Sequence, residues 1–285
     1  MTNKENNILK LKREKVPFLI CGHRGQWGGN IIQNTVNSGI LACRFGSDIF
    51  ELDVAKSSDD IFFCFHTKAE KEVFGQDFDL ESLTFAEIQG LNPVNRLLTE
   101  TNQKIESLKT LLDKSPESLF FQLDRCYSYL TDLLPFLDQF PKSIRERLII
   151  KIPFNIQAME ILDSSPYDFM TMVIIDDKEQ LEVLEKYTEI NFIGIEIIAK
   201  NSTNNTYGKE VIDYIHQKLN LLVQLNALKL SDKYDLYAGH DDDVSLLEGA
   251  DKGWGTLYSL GADIIQTDWS LALDQYRSTL RSNIK

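Results

Sequence analysis

Cys21-Gly22-His23-Arg24-Gly25 closes one short apolar run, and Glu51-Leu52-Asp53-Val54 closes the next. Extended chain sends side chains two apart to the same face, so Glu51 and Asp53 point the same way. Two carboxylates that close repel unless a cation lies between them or one is protonated. His23 adds a proton carrier and Arg24 a fixed positive charge. Hard oxygen ligands of this kind suit Mg²⁺ or Ca²⁺ rather than a soft metal. A second histidine, His66, follows another strand-like run, Ile61–Phe65. A lone Glu-x-Asp on a strand is usually a solvated face. The order of these motifs and their places at strand ends make a site the stronger reading.

Outward from this pair, strand-like runs alternate with helical spacing along the chain. The strand candidates are Pro17–Cys21, Asp48–Val54, Ile61–Phe65, Leu119–Leu123, Leu148–Ile152, Phe169–Ile175, Phe192–Ile197, Leu221–Leu225 and Asp263–Gln266. Helical patterns fall between most of them, which predicts an α/β protein with a parallel sheet. The link from Val54 to Ile61 is too short for a helix. Nine candidates against eight barrel positions therefore predict an irregular barrel or one strand outside it. Met1–Lys15 reads as a charged lead, frayed or helical, and Lys68–Thr101 as a long polar segment of the kind that is often functional.

The 285 residues suffice for a single domain over 1–285, with a core over about 17–277. A net charge of −13 argues against nucleic acid or an anionic membrane as the main partner. Cys21, Cys43, Cys64 and Cys126 lack paired metal spacing, and Cys21 and Cys64 sit in apolar runs as expected of buried thiols. The run Val16–Cys21 is too short for a signal-peptide core, and no stretch approaches a membrane span. A cytoplasmic protein without stable membrane insertion is expected.

The motifs together resemble the glycerophosphodiester phosphodiesterase family. Its pattern is met by His23-Arg24-Gly25, Gln33-Asn34-Thr35, Glu51-Leu52-Asp53-Val54 and His66-Thr67. Leu83–Ile88, Lys104–Leu108 and Gly261–Asp268 resemble its connecting segment and last barrel strand. The resemblance implies a (β/α)₈ TIM-type barrel with an insertion at 68–101, after the third strand and beside the site. It also implies metal-dependent hydrolysis of a small anionic phosphodiester to sn-glycerol 3-phosphate and an alcohol. His23 and His66 would then move protons, His23 as base and His66 as acid, with Arg24 meeting phosphate charge.

Four departures from the family's pattern shape the expected site. Gln33 replaces a Glu, Thr67 an Asp, and Trp269-Ser270 the usual residue-proline pair. The family's Glu-x-Lys reads Gln122-Leu123-Asp124 here, so Asp124 is expected as the third metal ligand, displaced by two positions. Lys151, in the apolar run Leu148–Ile152, would replace the lost lysine. Gln33, Gln122, Glu196 and Asn226 are candidate substrate contacts, or satisfied barrel residues. His240-Asp241-Asp242-Asp243 lacks calcium-loop spacing and reads as a solvated loop or helix cap, and Trp254 as ordinary packing. The replacements also motivate an alternative, a non-catalytic phosphodiester-binding barrel. A phospholipase-type relative acting on intact lipid is a further one.

Overall fold

A computed structural model describes residues 7–282. Eight parallel strands form a closed ring: β1 (Leu19–His23), β2 (Ile49–Lys56), β4 (Phe120–Asp124), β5 (Leu148–Pro153), β6 (Met170–Ile175), β7 (Phe192–Ile197), β8 (Leu222–Asn226) and β11 (Ile264–Thr267). The ring closes because β1 pairs with both β2 and β11. Helices link most successive strands on the outside, giving the expected (β/α)₈ barrel.

The ninth strand candidate is β3 (Phe62–Cys64), which pairs antiparallel with the far end of β2 and lies outside the ring. A tight turn suffices for an antiparallel return, which is why the Val54–Ile61 link is short. Sequence reading missed a small hairpin, β9 (Lys229–Ser231) and β10 (Tyr234–Asp235), in the loop after β8. Its strands are too short and polar to show an alternating pattern.

Alternation along the barrel strands sorts the core into shells. Phe50, Leu52 and Val54 of β2 face outward into the helix layer, where Leu130, Leu133, Leu134 and Leu137 of helix Leu130–Asp138 also pack. The inward positions at the strand starts are Leu19, Ile49, Phe120, Ile149, Met170 and Leu222. Leu9, from helix Ile8–Arg13, joins this cluster and closes the barrel floor. The expected lead over Met1–Lys15 is thus helical over Ile8–Arg13; residues 1–6 lie outside the described residues. Gly194 makes room for Met172 inside the ring, since a Cβ there would stand 2.9 Å from both the Met172 methyl and the Leu222 carbonyl.

Residues from the 68–101 segment build a satellite core with Ile32, Ala55, Phe63 and Phe65, to which they add Val73, Phe74, Leu80 and Ile88. The segment is folded onto β3 and carries three short helical turns, Glu70–Phe74, Leu80–Ser82 and Phe85–Gly90.

Candidate active site

Above the apolar floor the barrel interior turns polar in two steps. The middle layer is a ladder of amides. Gln122 donates to Gln224 Oε1 at 2.9 Å, and Gln224 donates to Gln266 Oε1 at 3.0 Å and Glu196 Oε2 at 2.8 Å. Gln122 is fully buried and also approaches Met172 Sδ at 3.0 Å. This corrects its expected role as a substrate contact: its amide is spent inside the barrel, below the cleft.

The top layer lies at the C-terminal strand ends and lines a cleft of about 340 Å³. Strand register does the assembly. His23 stands opposite Glu51 between β1 and β2, and Asp53 opposite Asp124 between β2 and β4. Glu51, Asp53 and Asp124 each bring one oxygen within 4.8 Å of the others. That spacing and an all-oxygen donor set fit a hard divalent cation. Burial first, then the neighbouring Asp53 charge, push Glu51 up to about 7. A cation among the three carboxylates would remove the cost that this shift records.

Two arginines follow strand ends in the left-handed backbone region, Arg24 at φ 55° and Arg125 at φ 58°. Such a conformation costs a non-glycine residue about 1 kcal/mol or more and is held only where surrounding contacts demand it. Here both turns aim an amide at a carboxylate. Arg24 N–H donates to Glu51 Oε2 at 2.9 Å, and Arg125 N–H donates to Asp124 Oδ1 at 2.6 Å. The Arg24 guanidinium lies 3.2 Å from Asp53 Oδ2 and donates to Gln33 Oε1 at 2.6 Å. Asn34 fixes Asp53 from behind, donating to its carboxylate and accepting from its amide, both at 3.0 Å.

Lys151 is buried beside Asp124 Oδ2 at 3.0 Å and Glu196 Oε2 at 2.8 Å. Burial opposes its charge, but Asp124, Glu196 and Glu51 outweigh that and raise it well above the usual lysine range. For Asp124 the burial effect is likewise overridden, by Lys151 foremost, and the carboxyl is held below its ordinary value.

The two histidines sit in contrasting surroundings. His23 Nδ1 meets Asp268 Oδ1 at 2.9 Å. Burial works against its charge, yet the Asp268 bond and charge, with Glu51, raise its pKa. Asp268 thereby holds the Nδ1 proton and leaves Nε2 as the acceptor. His66 Nε2 faces the Arg125 guanidinium at 3.0 Å. Burial first, then Arg24 and Arg125, outweigh Asp53 and lower its pKa.

Other expected contacts divide. Glu196 and Asn226 line the cleft and bond to each other at 2.8 Å. Asn226 Oδ1 is buried with no hydrogen-bond partner among the described residues. Gln33 instead lines a neighbouring cavity of about 240 Å³ and donates to Glu72 Oε1 at 3.2 Å. Glu72, from the 68–101 segment, lines that same neighbouring cavity. The far side of the cleft is apolar, made by Ile174, Ile198, Leu228, Leu230, Tyr234 and Leu236. Sequence reading missed Arg125 as a partner of His66, and gave Asp268 no role beyond the end of the last-strand motif. Both pairings join strand ends far apart in sequence.

Comparison with known proteins follows this geometry. Residues 23–164 match the model of the glycerophosphoryl diester phosphodiesterase family. Residues 169–277 match a second model, described as a domain of unknown function. No curated protein matches the sequence. Among solved structures, a glycerophosphoryl diester phosphodiesterase from Parabacteroides distasonis aligns over 95% of this chain and 92% of its own, with TM-score 0.72 and 18% identity. A phosphodiesterase from Oleispira antarctica, in complex with the product sn-glycerol-3-phosphate, aligns over 92% and 97%, with TM-score 0.67 and 18% identity. A glycerophosphodiester phosphodiesterase from Thermotoga maritima aligns over 91% and 98%, with TM-score 0.63 and 17% identity. The structural likenesses share the barrel. The family match carries the resemblance read from the motifs, and with it the enzyme class, a phosphoric diester hydrolase.

Proposed function

We propose that the protein is a metal-dependent phosphodiesterase that cleaves glycerophosphodiesters to sn-glycerol 3-phosphate and an alcohol. The observation that carries this reading is the convergence of Glu51, Asp53 and Asp124 in one cleft with His23 and His66. The three carboxylates would hold one divalent cation, Mg²⁺ or Ca²⁺. When bound, it neutralises charge growing on the phosphoryl oxygens.

The chain's own residues supply the rest. Arg24 and Lys151 bear on the same negative charge. His23, with Asp268 fixing its Nδ1 proton, takes a proton at Nε2 from the attacking water as the water oxygen bonds to phosphorus. His66 returns a proton to the leaving oxygen as the phosphorus–oxygen bond to the alcohol breaks. Asn226 Oδ1 is free to accept from a substrate hydroxyl. The product found in the Oleispira antarctica relative has the chemistry this cleft suits, an anionic phosphate beside hydroxyl groups.

The apolar far wall favours a second reading, a phospholipase-type relative whose substrate carries an acyl chain. A wall of five aliphatic side chains and Tyr234 suits a hydrocarbon.

One assay separates these readings. Glycerol 3-phosphate release is measured from glycerophosphocholine and glycerophosphoethanolamine, with Mg²⁺, Ca²⁺ or EDTA, beside Glu51→Ala and His66→Ala. Metal-dependent release lost in both folded variants is the expected result. Lysophosphatidylcholine cleaved in preference to glycerophosphocholine would favour the second reading. Cation binding without turnover of any diester would sink both and leave a binding barrel.

A further inference from the structure

Asp242 lies in the acidic run after β8, where its neighbour Asp241 caps helix Asp242–Leu247 by accepting from Val244 N–H at 2.9 Å. An acid in the first turn of such a helix normally faces water and gains from the helix dipole. Asp242 does not face water; only 2% of it is exposed. Its side chain reaches away from its own helix to the end of β11. Oδ1 accepts from Trp254 Nε1–H and from Thr267 Oγ1–H, both at 2.7 Å. Oδ2 accepts from Asp268 N–H at 2.9 Å. Its own amide is tied to the Ala227 carbonyl at 2.6 Å.

The carboxylate therefore brackets the Thr267–Asp268 peptide. The other side of Asp268 is held too, since Gln26 Nε2 donates to the Asp268 carbonyl at 3.1 Å. With its backbone held on both sides, Asp268 presents Oδ1 to His23 Nδ1 at 2.9 Å. Burying a carboxylate costs several kcal/mol unless its lone pairs are met. Here three donors from two other segments meet them, and one of those segments carries the partner of the catalytic histidine. Loop closure alone would not call for a charge in this place.

We propose that Asp242 is a positioning residue for the phosphodiesterase reaction: it fixes the backbone of Asp268 so that the Asp268 carboxylate holds His23 in its reactive tautomer. The inference rests on the proposed phosphodiesterase reading for its kinetic consequence, but not for its structural one. Asn at 242 keeps the volume yet has a single acceptor oxygen. It must set an amide donor against either the Asp268 N–H or the Trp254–Thr267 pair.

The test compares wild type with Asp242→Asn and Trp254→Phe. Two readouts are used: steady-state kinetics on the best diester substrate, and the downfield proton resonance of His23 Nδ1–H. In Asp242→Asn, kcat is expected to fall about 10- to 100-fold with KM little changed, the range for outer-shell partners of a site. The Nδ1–H resonance is expected to move upfield or broaden away. Trp254→Phe removes one donor, and a smaller change in the same direction is expected, which keeps the proposal testable if Asp242→Asn does not fold. A folded Asp242→Asn, or failing that a folded Trp254→Phe, with wild-type kcat and an unmoved resonance would overturn the proposal. If wild type cleaves no diester, the functional reading fails, and the resonance alone decides whether Asp242 orients His23 through Asp268.

Discussion

At the N-terminal end of the barrel, Leu19, Ile49, Phe120 and Ile149 point inward and Leu9 closes the floor. At the other end of the same strands, the inward positions belong to His23, Glu51, Asp53, Asp124 and Lys151. On this side of the ring the strands change character within four residues, and β2 does so as Ile49, Glu51 and Asp53. The floor lowers free energy by removing hydrocarbon from water. The mouth concentrates like charge in a place that water barely reaches, and it is held by cross-strand ion pairs and by arginines in costly backbone conformations. Stability and chemistry are thus separated along the strand axis, with the amide ladder between them.

The largest effect that could sharpen this contrast is at the mouth. Asp53→Asn should lower kcat/KM about 10³-fold or more, because it removes one of three charges around the cation while keeping an acceptor for Asn34. Its melting temperature without metal should stay close to wild type. A loss of fold comparable to the loss of activity would break the separation. At the floor the expectation reverses. Ile149→Ala should cost about 2–5 kcal/mol in urea unfolding, with kcat unchanged in the folded fraction.

A subtler test exploits the Glu51 pKa, raised from 4.5 to about 7 in the metal-free fold. A carboxyl raised on folding contributes stability while protonated and loses it as pH rises from its unfolded value through about 7. Metal-free Glu51→Gln should therefore match wild type near pH 4 and exceed it by about 3 kcal/mol at pH 8. Saturating Mg²⁺ or Ca²⁺ should erase the advantage. A variant no more stable at pH 8 would mean that His23 and Lys151 already offset the crowding.

Smaller still is the effect at Arg125, one of the positive charges that lower the His66 pKa after burial. With His66 as acid, activity falls as pH rises through its pKa. Arg125→Ala should move that alkaline limb of kcat upward, and an unmoved limb would detach His66 from the rate. Last, Cys21, Cys64 and Cys126 are buried, with thiols raised above their usual range chiefly by that burial. Only half-buried Cys43 should react promptly with a thiol reagent in the native state.

What could be read from the sequence follows the reach of local pattern. All nine strand candidates are strands, because a strand buried on both faces is written as a short run of mostly apolar consecutive residues such as Leu148–Ile152. Asp124 and Lys151 could be singled out because each interrupts or ends an apolar run. Pairings across the ring left no such trace. Nothing around Asp268 marks it as the partner of His23, and nothing around Arg125 marks it as the partner of His66. Gln122 was placed on the correct face but one layer too high, since alternation gives the face and not the depth. The run around Asp242 read as a solvated loop or helix cap, and Asp241 is that cap; the burial of Asp242 left no trace because its three donors come from Trp254, Thr267 and Asp268, none of them in its own helix.

The closure of β1 against β11 has a consequence for synthesis. A nascent chain emerges with His23 and Glu51 early and with Gln26, the anchor of the Asp268 carbonyl, beside them. The strand that closes the ring, and the aspartate that orients His23, come about 240 residues later. Until Ile264–Thr267 leaves the ribosome, β1 and β8 are open edges, available to pair with other chains. The chain's net charge of −13 then helps keep unfinished barrels apart from one another.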